Sequence, residues 1–465
     1  MKRVIAAVAV VVAAACSATG RPASTSSPAP SPPATSVPSG PALSGWLTYM
    51  ADAARSGRGP DTPAARSVTQ AWTKDVDGAV YASPVVAADR VFIATENNTV
   101  YAFDAASGAE AWHRHFGDPV PRSALACGNI DPTGITSTPV VDAAGHVVFV
   151  VGFINGSPRP VHRLFALSLE DGAVRWQRTV DPPGGDPLVH QQRGALALAG
   201  GRVYIPYGGL LGDCGSFRGT IVGVPADGGG NSIAYVVAAA RQAGIWSPPG
   251  EVIDPMSGDV YTATGNQDLG RFGQGNSVVR LSPGLELRDY WAPTDWAQLS
   301  LSDTDLGSTT PVLLPAGLIF QSGKNGTGYL LRANDLGHIG GQAFSAQACS
   351  TAVFGGVAVV PSGDSGADLY LPCGGIQALH VSSTGPRFDR TWRSTLGGET
   401  PILAYGWLWT VSRGSGELIA LDPGSGQLRG RSSIGRLTAH FATPAAFGGR
   451  VFVSGSTRAY AFTVG

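Results

Sequence analysis

The chain has 465 residues and a formal net charge of −1, and charged residues make up only 14% of it. Without a basic run or stripe, it lacks the electrostatic footprint of a nucleic-acid-binding protein. Its 64 glycines and 34 prolines favour many short strands and turns over long helices. The length alone would predict about three domains, but internal repeats override that estimate because an array grows by adding units.

The first residues have the features of an export signal. Two basic residues are followed by the apolar run 4–15, which is too short to span a bilayer. Three alanines directly before Cys16 resemble the end of a bacterial lipobox, although leucine is more usual where Ala13 stands. We therefore expect residues 1–16 to be a signal peptide and Cys16 to be lipidated, which anchors an extracytoplasmic protein to the cell membrane. Cleavage at an ordinary signal-peptidase site is the alternative, and it would give a secreted protein.

The next segment has the composition of a tether. Residues 17–45 are rich in Pro, Ser, Thr and Ala and contain almost no large apolar side chain. Because such a segment cannot bury a core, we expect it to be extended and disordered. The folded domain is predicted to cover residues 46–465.

This domain contains a repeated unit of four short strands, which we name A to D. Its clearest copy has strands at 83–86, 90–94, 99–104 and 108–112, separated by turn residues. Seven further copies begin near Thr138, Gly194, Ser247, Thr310, Ala352, Thr400 and Thr443. Eight four-stranded units of this length are typical of the blades of a β-propeller.

The two ends of the repeat array are complementary. The eighth copy ends at Gly465 without a D strand, whereas Val68–Lys74 is a D strand with no copy before it. We expect this N-terminal strand to complete the last blade and close the ring, which removes two exposed sheet edges. An open solenoid is the alternative, and it would leave those edges bare.

The repeat resembles that of the quinoprotein β-propellers, over roughly Val68 to Gly465. This superfamily includes the dehydrogenases that use pyrroloquinoline quinone (PQQ) and the propeller lipoprotein of the outer-membrane β-barrel assembly machine. The resemblance implies an all-β fold, an eight-bladed propeller with four-stranded antiparallel blades. It does not decide function, because one fold supports many activities.

One face of the predicted propeller carries most of the long connections. In each blade the A–B and C–D connections lie on one face, and the B–C and D-to-A connections lie on the other, which we name the loop face. The A–B and C–D connections are mostly short, with an exception at 362–368. The long loop-face connections belong to blades 1 to 5 and cover residues 113–134, 177–193, 208–218, 228–245, 266–276 and 292–307. Long loops on a rigid scaffold are where function usually lies.

Four cysteines follow Cys16, and an even number in an exported chain predicts two disulfides. We expect Cys349 to begin an A strand and Cys373 to end the neighbouring B strand, so both lie on the loop face. Cys127 lies in a D-to-A connection and Cys214 in a B–C connection of nearby blades. We therefore pair Cys349 with Cys373 and Cys127 with Cys214, and we expect both bonds to staple long loops.

Four residues on the loop face resemble the cofactor site of the PQQ dehydrogenases, in the family's order along the chain. Trp246 matches the tryptophan on which the quinone stacks, and Asn266 matches the asparagine that ligates calcium. Asp305 matches the catalytic aspartate, and Lys324 matches the basic residue that contacts the quinone oxygens. The resemblance implies that Asp305 is the base for a hydroxyl proton, Asn266 a ligand of Ca²⁺ and Lys324 the group that stabilises the reduced quinone.

The sequence departs from this family pattern at the glutamate that completes the calcium ligands. Cys214 stands at the aligned place, and Asp213, one residue earlier, is the remaining candidate ligand. The chain has no Cys-x-x-Cys-His sequence, so we expect no c-type haem. Each of the four matched residues also has a structural explanation as a turn, packing or capping residue.

The leading interpretation is a non-enzymatic, monomeric, lipid-anchored propeller that binds a protein, a glycan or a small ligand through the loop face of blades 2 to 5. One alternative is a dehydrogenase that depends on Ca²⁺ and PQQ and oxidises an alcohol or a sugar. A scaffold in an envelope assembly complex is another alternative, by analogy of fold alone.

Overall fold

The computed structural model describes residues 45–363, 366–437 and 439–465. They form an eight-bladed β-propeller of four-stranded antiparallel blades, as predicted. The predicted signal peptide, Cys16 and the tether up to residue 44 lie outside the described residues. Gly45 is already part of the first strand.

The strands follow the repeat in chain order. Two strands come first, β1 (Gly45–Trp46) and β2 (Val68–Asp75). Blade 1 contains β3 (Val85–Ala87), β4 (Arg90–Ala94), β5 (Thr99–Asp104) and β6 (Glu110–His115), and blade 2 contains β7 (Val140–Asp142), β8 (Val147–Ile154), β9 (Val161–Ser168) and β10 (Val174–Thr179). Blade 3 begins with the short β11 (His190–Gln191) and contains β12 (Ala197–Ala199), β13 (Arg202–Gly209), β14 (Thr220–Pro225) and β15 (Ile233–Val236).

The remaining blades repeat this order. Blade 4 contains β16 (Val252–Ile253), β17 (Val260–Ala263), β18 (Val278–Leu281) and β19 (Leu287–Ala292), and blade 5 contains β20 (Val312–Leu314), β21 (Leu318–Gln321) and β22 (Thr327–Arg332). The short β23 (His338–Ile339) pairs with β19, and β24 (Phe344–Gln347) completes blade 5. Blade 6 contains β25 (Ala358–Ser362), β26 (Gly366–Pro372), β27 (Ile376–Ser382) and β28 (Arg387–Ser394), and blade 7 contains β29 (Ile402–Ala404), β30 (Trp407–Ser412), β31 (Glu417–Leu421) and β32 (Leu428–Ser433). Blade 8 contains β33 (Ala445–Phe447), β34 (Arg450–Gly455) and β35 (Arg458–Val464) together with β2.

Helical structure is confined to short pieces of the connections. The α-helix α1 (Trp296–Leu301) lies between blades 4 and 5. Short 3-10 turns cover Arg122–Ala124, Pro187–Val189, Leu306–Ser308 and Pro315–Gly317. Among the described residues, no helix has the length and apolar character needed to cross a membrane.

Tryptophans of the D strands dock onto glycines of the next blade. Trp112 of blade 1 donates its indole N–H to the Leu169 carbonyl of blade 2 at 3.2 Å. Its ring covers Gly172, where a Cβ atom would lie only 2.6 Å away. Gly172 has φ +70°, a left-handed conformation that glycine adopts without strain. The same packing joins Trp72 to Gly108, Trp176 to Gly228 and Trp392 to Gly426.

The predicted closure of the ring is confirmed. Strand β2 pairs antiparallel with β35, from Val68 opposite Val464 to Asp75 opposite Arg458. Its Trp72 is buried and contacts Phe452 of blade 8 and Phe103 of blade 1, with ring centroids 6.1 and 6.2 Å away. The first and last parts of the chain are therefore joined in one blade, and both faces of that blade are covered.

Residues 45–60, which we name the axial segment, lie across the inner strands of the ring. Strand β1 pairs with β3 of blade 1, and further hydrogen bonds join the segment to blades 2, 3, 4, 6, 7 and 8. Its side chains Trp46, Tyr49, Met50 and Arg55 are all buried. Residues 46–60 were predicted to belong to the propeller and Gly45 to the tether, and the position of the segment across the ring was not predicted.

Two polar side chains fix the axial segment. The Arg55 guanidinium donates to the carbonyls of Glu251 and Leu196, each at 3.0 Å, and so bridges blades 3 and 4. The Tyr49 hydroxyl donates to Thr400 and accepts from Thr443, at 2.9 and 2.7 Å, and so bridges blades 7 and 8. Because buried polar groups are costly without partners, these bonds specify a single position for the segment.

Both predicted disulfides are present. The Cα atoms of Cys127 and Cys214 are 6.1 Å apart, and those of Cys349 and Cys373 are 5.7 Å apart. The expected strand position of Cys349 is wrong, because this residue lies in the connection before β25. The predicted long connection at 362–368 is also shorter, since β25 continues to Ser362 and β26 begins at Gly366.

Tryptophan docking gives a direct test of what holds neighbouring blades together. In Gly172→Ala the new Cβ would overlap the Trp112 ring, and we expect a loss of about 2–4 kcal/mol of unfolding free energy. Gly385→Ala is the matched control, because Gly385 has φ +69° in the equivalent turn of blade 6 with nothing within 4 Å. Its loss should be about 1–2 kcal/mol, from backbone strain alone. Urea unfolding measures both, and equal losses would contradict the docking argument.

Candidate functional site

Asp305 is the centre of the predicted site. It follows α1 and precedes a 3-10 turn in the connection from blade 4 to blade 5. Its Oδ1 accepts the Asn266 backbone N–H at 2.7 Å, and its Oδ2 lies 2.5 Å from the Lys324 ammonium. The approach of Asn266 requires Gly265, because a Cβ there would lie 2.5 Å from Oδ1 and 3.0 Å from the Trp246 indole nitrogen. Four residues predicted from different connections therefore meet here.

Lys324 lies in the hairpin turn between β21 and β22. Its ammonium contacts Asp305 and also Asp303, whose Oδ1 is 2.9 Å away. Only 18% of the Lys324 side chain is exposed, against 76% of Asp303. Burial alone would lower the pKa of Lys324, but the two carboxylates outweigh it and raise the pKa above 10.5. Lys324 is therefore a fixed cation at neutral pH.

For Asp305 the effect of burial on the pKa outweighs the effect of the neighbouring charge. Its burial raises its pKa above the ordinary 3.8, and the charge and hydrogen bond of Lys324 oppose that rise without cancelling it. Both of its carboxylate oxygens are already engaged, one by an N–H group and one by an ammonium. These two contacts stabilise the charged form of Asp305 and lower its basicity, while each oxygen keeps a second lone pair.

The Asn266 side chain belongs to an amide network. Its Nδ2 donates to Asp303 Oδ1 at 2.9 Å, and its Oδ1 accepts from Asn276 Nδ2 at 3.1 Å. The fully buried Asn276 accepts in turn from the Leu306 backbone N–H at 2.8 Å. Asn276 therefore links the long loop of blade 4 to the turn that carries Asp305. Sequence reasoning missed Asn276, although it lies in the same predicted loop as Asn266.

Trp246 forms one wall of the site and keeps part of its surface exposed. The Lys324 ammonium lies 5.7 Å from the centroid of its ring, within the range of a cation–π interaction. The Trp246 side chain also fits closely against Gly208, where a Cβ would lie 2.8 Å away. The ring is thus held in place and still offers an aromatic surface beside a cation.

Asp213 borders the site from the loop of blade 3. Its side chain is exposed. Its pKa rises from 3.8 to about 6, first through partial desolvation and then through the negative charges of Asp305 and Asp303. The next residue, Cys214, is bonded to Cys127, so the disulfide holds the Asp213 loop beside the site.

The residues present do not fit a calcium ion. Ca²⁺ takes six to eight oxygen ligands, usually with several carboxylates. Here Asp305 and Asp303 are paired with Lys324, and the Asn266 carbonyl oxygen accepts a hydrogen bond from Asn276. Within the part of the chain that the structure describes, no group of three or more His, Cys, Asp or Glu side chains is placed to hold a metal ion.

A second cation lies on the loop-face side of the channel and was missed by the sequence analysis. Arg193 precedes the inner strand of blade 3, and only 9% of it is exposed. Its guanidinium lies 5.5 and 5.1 Å from the ring centroids of Tyr81 and Phe441, in blades 1 and 8. It donates to the carbonyls of Thr136 and His440 at 3.3 and 3.1 Å. No local pattern in the sequence identifies it, because its partners come from other blades.

Two buried carboxyl groups accompany Arg193. Burial raises the pKa of Glu96 to about 7 and that of Glu399 to about 7, and Arg193 opposes both shifts. The Oε2 of Glu96 accepts from Gly134 N–H and the Thr136 hydroxyl at 2.6 and 3.0 Å, whereas its buried Oε1 has no partner. This part of the channel is therefore polar and sensitive to pH.

The fold and a matching family model define the class of PQQ-like propellers. Residues 10–335 match the family model described as outer membrane protein assembly factor BamB, which is more than half of the chain. The chain therefore belongs to this family. Its two disulfides are typical of proteins in oxidising, extracytoplasmic compartments.

A curated relative is an enzyme. A polyvinylalcohol dehydrogenase of a Pseudomonas species is 24% identical over 230 residues, which is 45% of this chain. The aligned part spans only 33% of that enzyme. The match therefore concerns about a third of the relative.

Solved structures with the same fold include enzymes and an assembly factor. The quinohemoprotein alcohol dehydrogenase ADHIIG from Pseudomonas putida HK5 superposes with a TM-score of 0.69 at 13% identity, over 90% of this chain and 80% of that one. The quinohemoprotein alcohol dehydrogenase from Comamonas testosteroni gives 0.65 at 16% identity, with the same coverage. BamB from Moraxella catarrhalis gives 0.54 at 14% identity, over 85% of this chain and 97% of that one. At these identities the likeness shows the fold alone.

The buried Glu96 predicts a pH dependence of stability. Its folded pKa of about 7 lies above the ordinary 4.5, so its protonation stabilises the fold at low pH, and that stability is lost as the pH rises through 7. We expect the wild type to lose about 1–3 kcal/mol more than Glu96→Gln between pH 5 and pH 8. Urea unfolding at the two pH values measures this difference. The exposed Glu286→Gln is the control and should behave as the wild type, and an identical pH dependence in Glu96→Gln would contradict the prediction.

Proposed function

We propose that the protein binds a small, planar, oxygen-bearing ligand at the loop face of blades 3 to 5, without catalysing a reaction on it. The observation that carries the proposal is the convergence of Trp246, Asp305 and Lys324 in one cluster. A partly exposed aromatic ring beside a fixed ammonium suits a planar ligand with a carbonyl or carboxylate oxygen. The contacts of Asp305 with Lys324 and the Asn266 N–H lower its basicity, which favours binding over catalysis.

Binding can be measured through tryptophan fluorescence of the full chain, titrated with PQQ as a planar quinone with carboxylates. We expect saturable quenching that is lost in Trp246→Phe and weakened at least about tenfold in Lys324→Gln, since a charged hydrogen bond contributes about 1.5–3 kcal/mol. Trp246→Phe is needed as the reference because the chain contains ten tryptophans. Equal quenching in the wild type and Trp246→Phe would remove the proposed site.

A PQQ-dependent dehydrogenase acting on an alcohol or a sugar is the second candidate. The arrival of Trp246, Asn266, Asp305 and Lys324 at one place supports it, as does the polyvinylalcohol dehydrogenase relative. Asp305 would have to accept the hydroxyl proton of the substrate against the contact with Lys324, which stabilises its charged form. Reduction of an electron-accepting dye by the PQQ-treated protein with polyvinyl alcohol or a primary alcohol, abolished in Asp305→Asn, would favour this candidate over simple binding.

A protein partner, as in an envelope assembly complex, is the third candidate, and it agrees with the family in general terms. The specific observation is three exposed leucines on the loop face, Leu211, Leu269 and Leu301, which are 59–63% exposed. The loops of Leu269 and Leu301 are linked, because the Gln267 backbone N–H donates to Ser300 at 3.4 Å. If this surface binds a partner, cross-linking of the intact protein in its host should be reduced when these leucines are replaced by aspartate.

We further propose that the chain is exported and held at the membrane through a lipid on Cys16. The apolar run 4–15, the small residues before Cys16 and the two disulfides support this location. Cys16→Ser should therefore move the protein from the membrane fraction to the soluble fraction, with Ser17→Ala as the control that leaves it in place. Recovery of both variants in the same fraction would contradict lipidation.

A further inference from the structure

The Asp303 and Asp305 carboxylates share one ammonium group, that of Lys324. Its Nζ is 2.5 Å from Asp305 Oδ2 and 2.9 Å from Asp303 Oδ1. Lysine carries three N–H donors on this nitrogen, and two are directed to these carboxylates. The third donor remains for another acceptor, and the ammonium stands beside the face of Trp246.

Both carboxylate oxygens of Asp305, the Oδ1 of Asp303 and the Asn266 carbonyl oxygen already have hydrogen-bond or ion-pair partners. Asp303 Oδ1 accepts from both Lys324 and Asn266, and Asp305 accepts from Lys324 and the Asn266 backbone. The Asn266 carbonyl accepts from Asn276. At the position in the loop of blade 3 where a further carboxylate would be needed, Cys214 is committed to a disulfide. A cation that bridges Asp303 and Asp305 would have to displace the Lys324 ammonium from between them.

We propose that the Lys324 ammonium takes the place of a divalent cation in this site. It neutralises the two carboxylates and offers its remaining N–H to an oxygen of the ligand that lies over Trp246. Ligand binding is therefore independent of divalent ions. The role of Lys324 toward the carboxylates stands on the geometry alone, and its role toward the ligand rests on the proposed function.

The first test measures calcium binding without any ligand. Isothermal titration of the full-length wild type with CaCl₂ should show no saturable binding below about 1 mM, the upper end for weak protein sites. Its Tm should be the same in EDTA and in calcium, since only a bound ion stabilises the folded state. Saturable binding in this range, or a calcium-dependent rise in Tm, would overturn the proposal.

The second test removes the ammonium. In Lys324→Gln the carboxylates of Asp303 and Asp305 lose their counter-ion, and we expect calcium to raise the Tm of this variant. Asp303→Asn in the same chain should abolish that gain, and Lys324→Arg, which keeps the positive charge, should remain insensitive to calcium. A Tm of Lys324→Gln that calcium does not change would argue against the exchange of roles. If Lys324→Gln fails to fold, the wild-type titration and Lys324→Arg still decide the question.

The third test separates this inference from the proposed function. PQQ is titrated into the wild type in EDTA and in 1 mM CaCl₂, and we expect dissociation constants equal within about twofold, a difference of only about 0.4 kcal/mol. Quenching that requires calcium would overturn the inference while supporting the quinoprotein candidate. Absence of quenching in both solutions would count against the proposed function for this ligand and leave the calcium titration as the test of Lys324.

Discussion

The pairing of β2 with β35 is the contact on which the rest of the structure depends. Each blade buries its two faces against its neighbours, so the fold has no exposed sheet face only if the ring is complete. Residues 68–75 and 458–464 are far apart in the chain, so bringing them together costs conformational entropy of the unfolded chain. Trp72 offsets that cost by packing between blades 8 and 1. Three further tryptophans pack between other pairs of blades in the same way.

A closed ring also explains where a site can form. The inner strands hold the ends of the loop-face connections at fixed places around the channel, so side chains distant in sequence meet with little freedom. Asp305 and Lys324 come from two connections of neighbouring blades, and Gly265 allows the backbone of a third to approach within hydrogen-bond distance. Under the proposed function, an ion pair that is in place before a ligand binds would lower the entropic cost of binding.

Much of the fold could be predicted because the information is local and repeated. The alternation of short apolar strands with glycine-rich turns gave the blade number, and the unmatched Trp72 strand predicted closure. The D strands β15, β24 and β32 contain no tryptophan, so their place depends on pairing with the partner strand rather than on a local signal. Arg55 and Arg193 were missed for a similar reason: burial of an arginine depends on carbonyls and rings from other blades, which no local pattern records.

The axial segment has a consequence for access along the axis of the ring. Its buried Trp46, Tyr49 and Arg55 lie across the inner strands and are hydrogen-bonded or packed against blades around the ring. Because Arg55 bonds to blades 3 and 4 and Tyr49 to blades 7 and 8, the segment crosses the ring axis and obstructs a straight path along it. Any ligand of the Trp246 cluster would therefore have to approach and leave from the loop face.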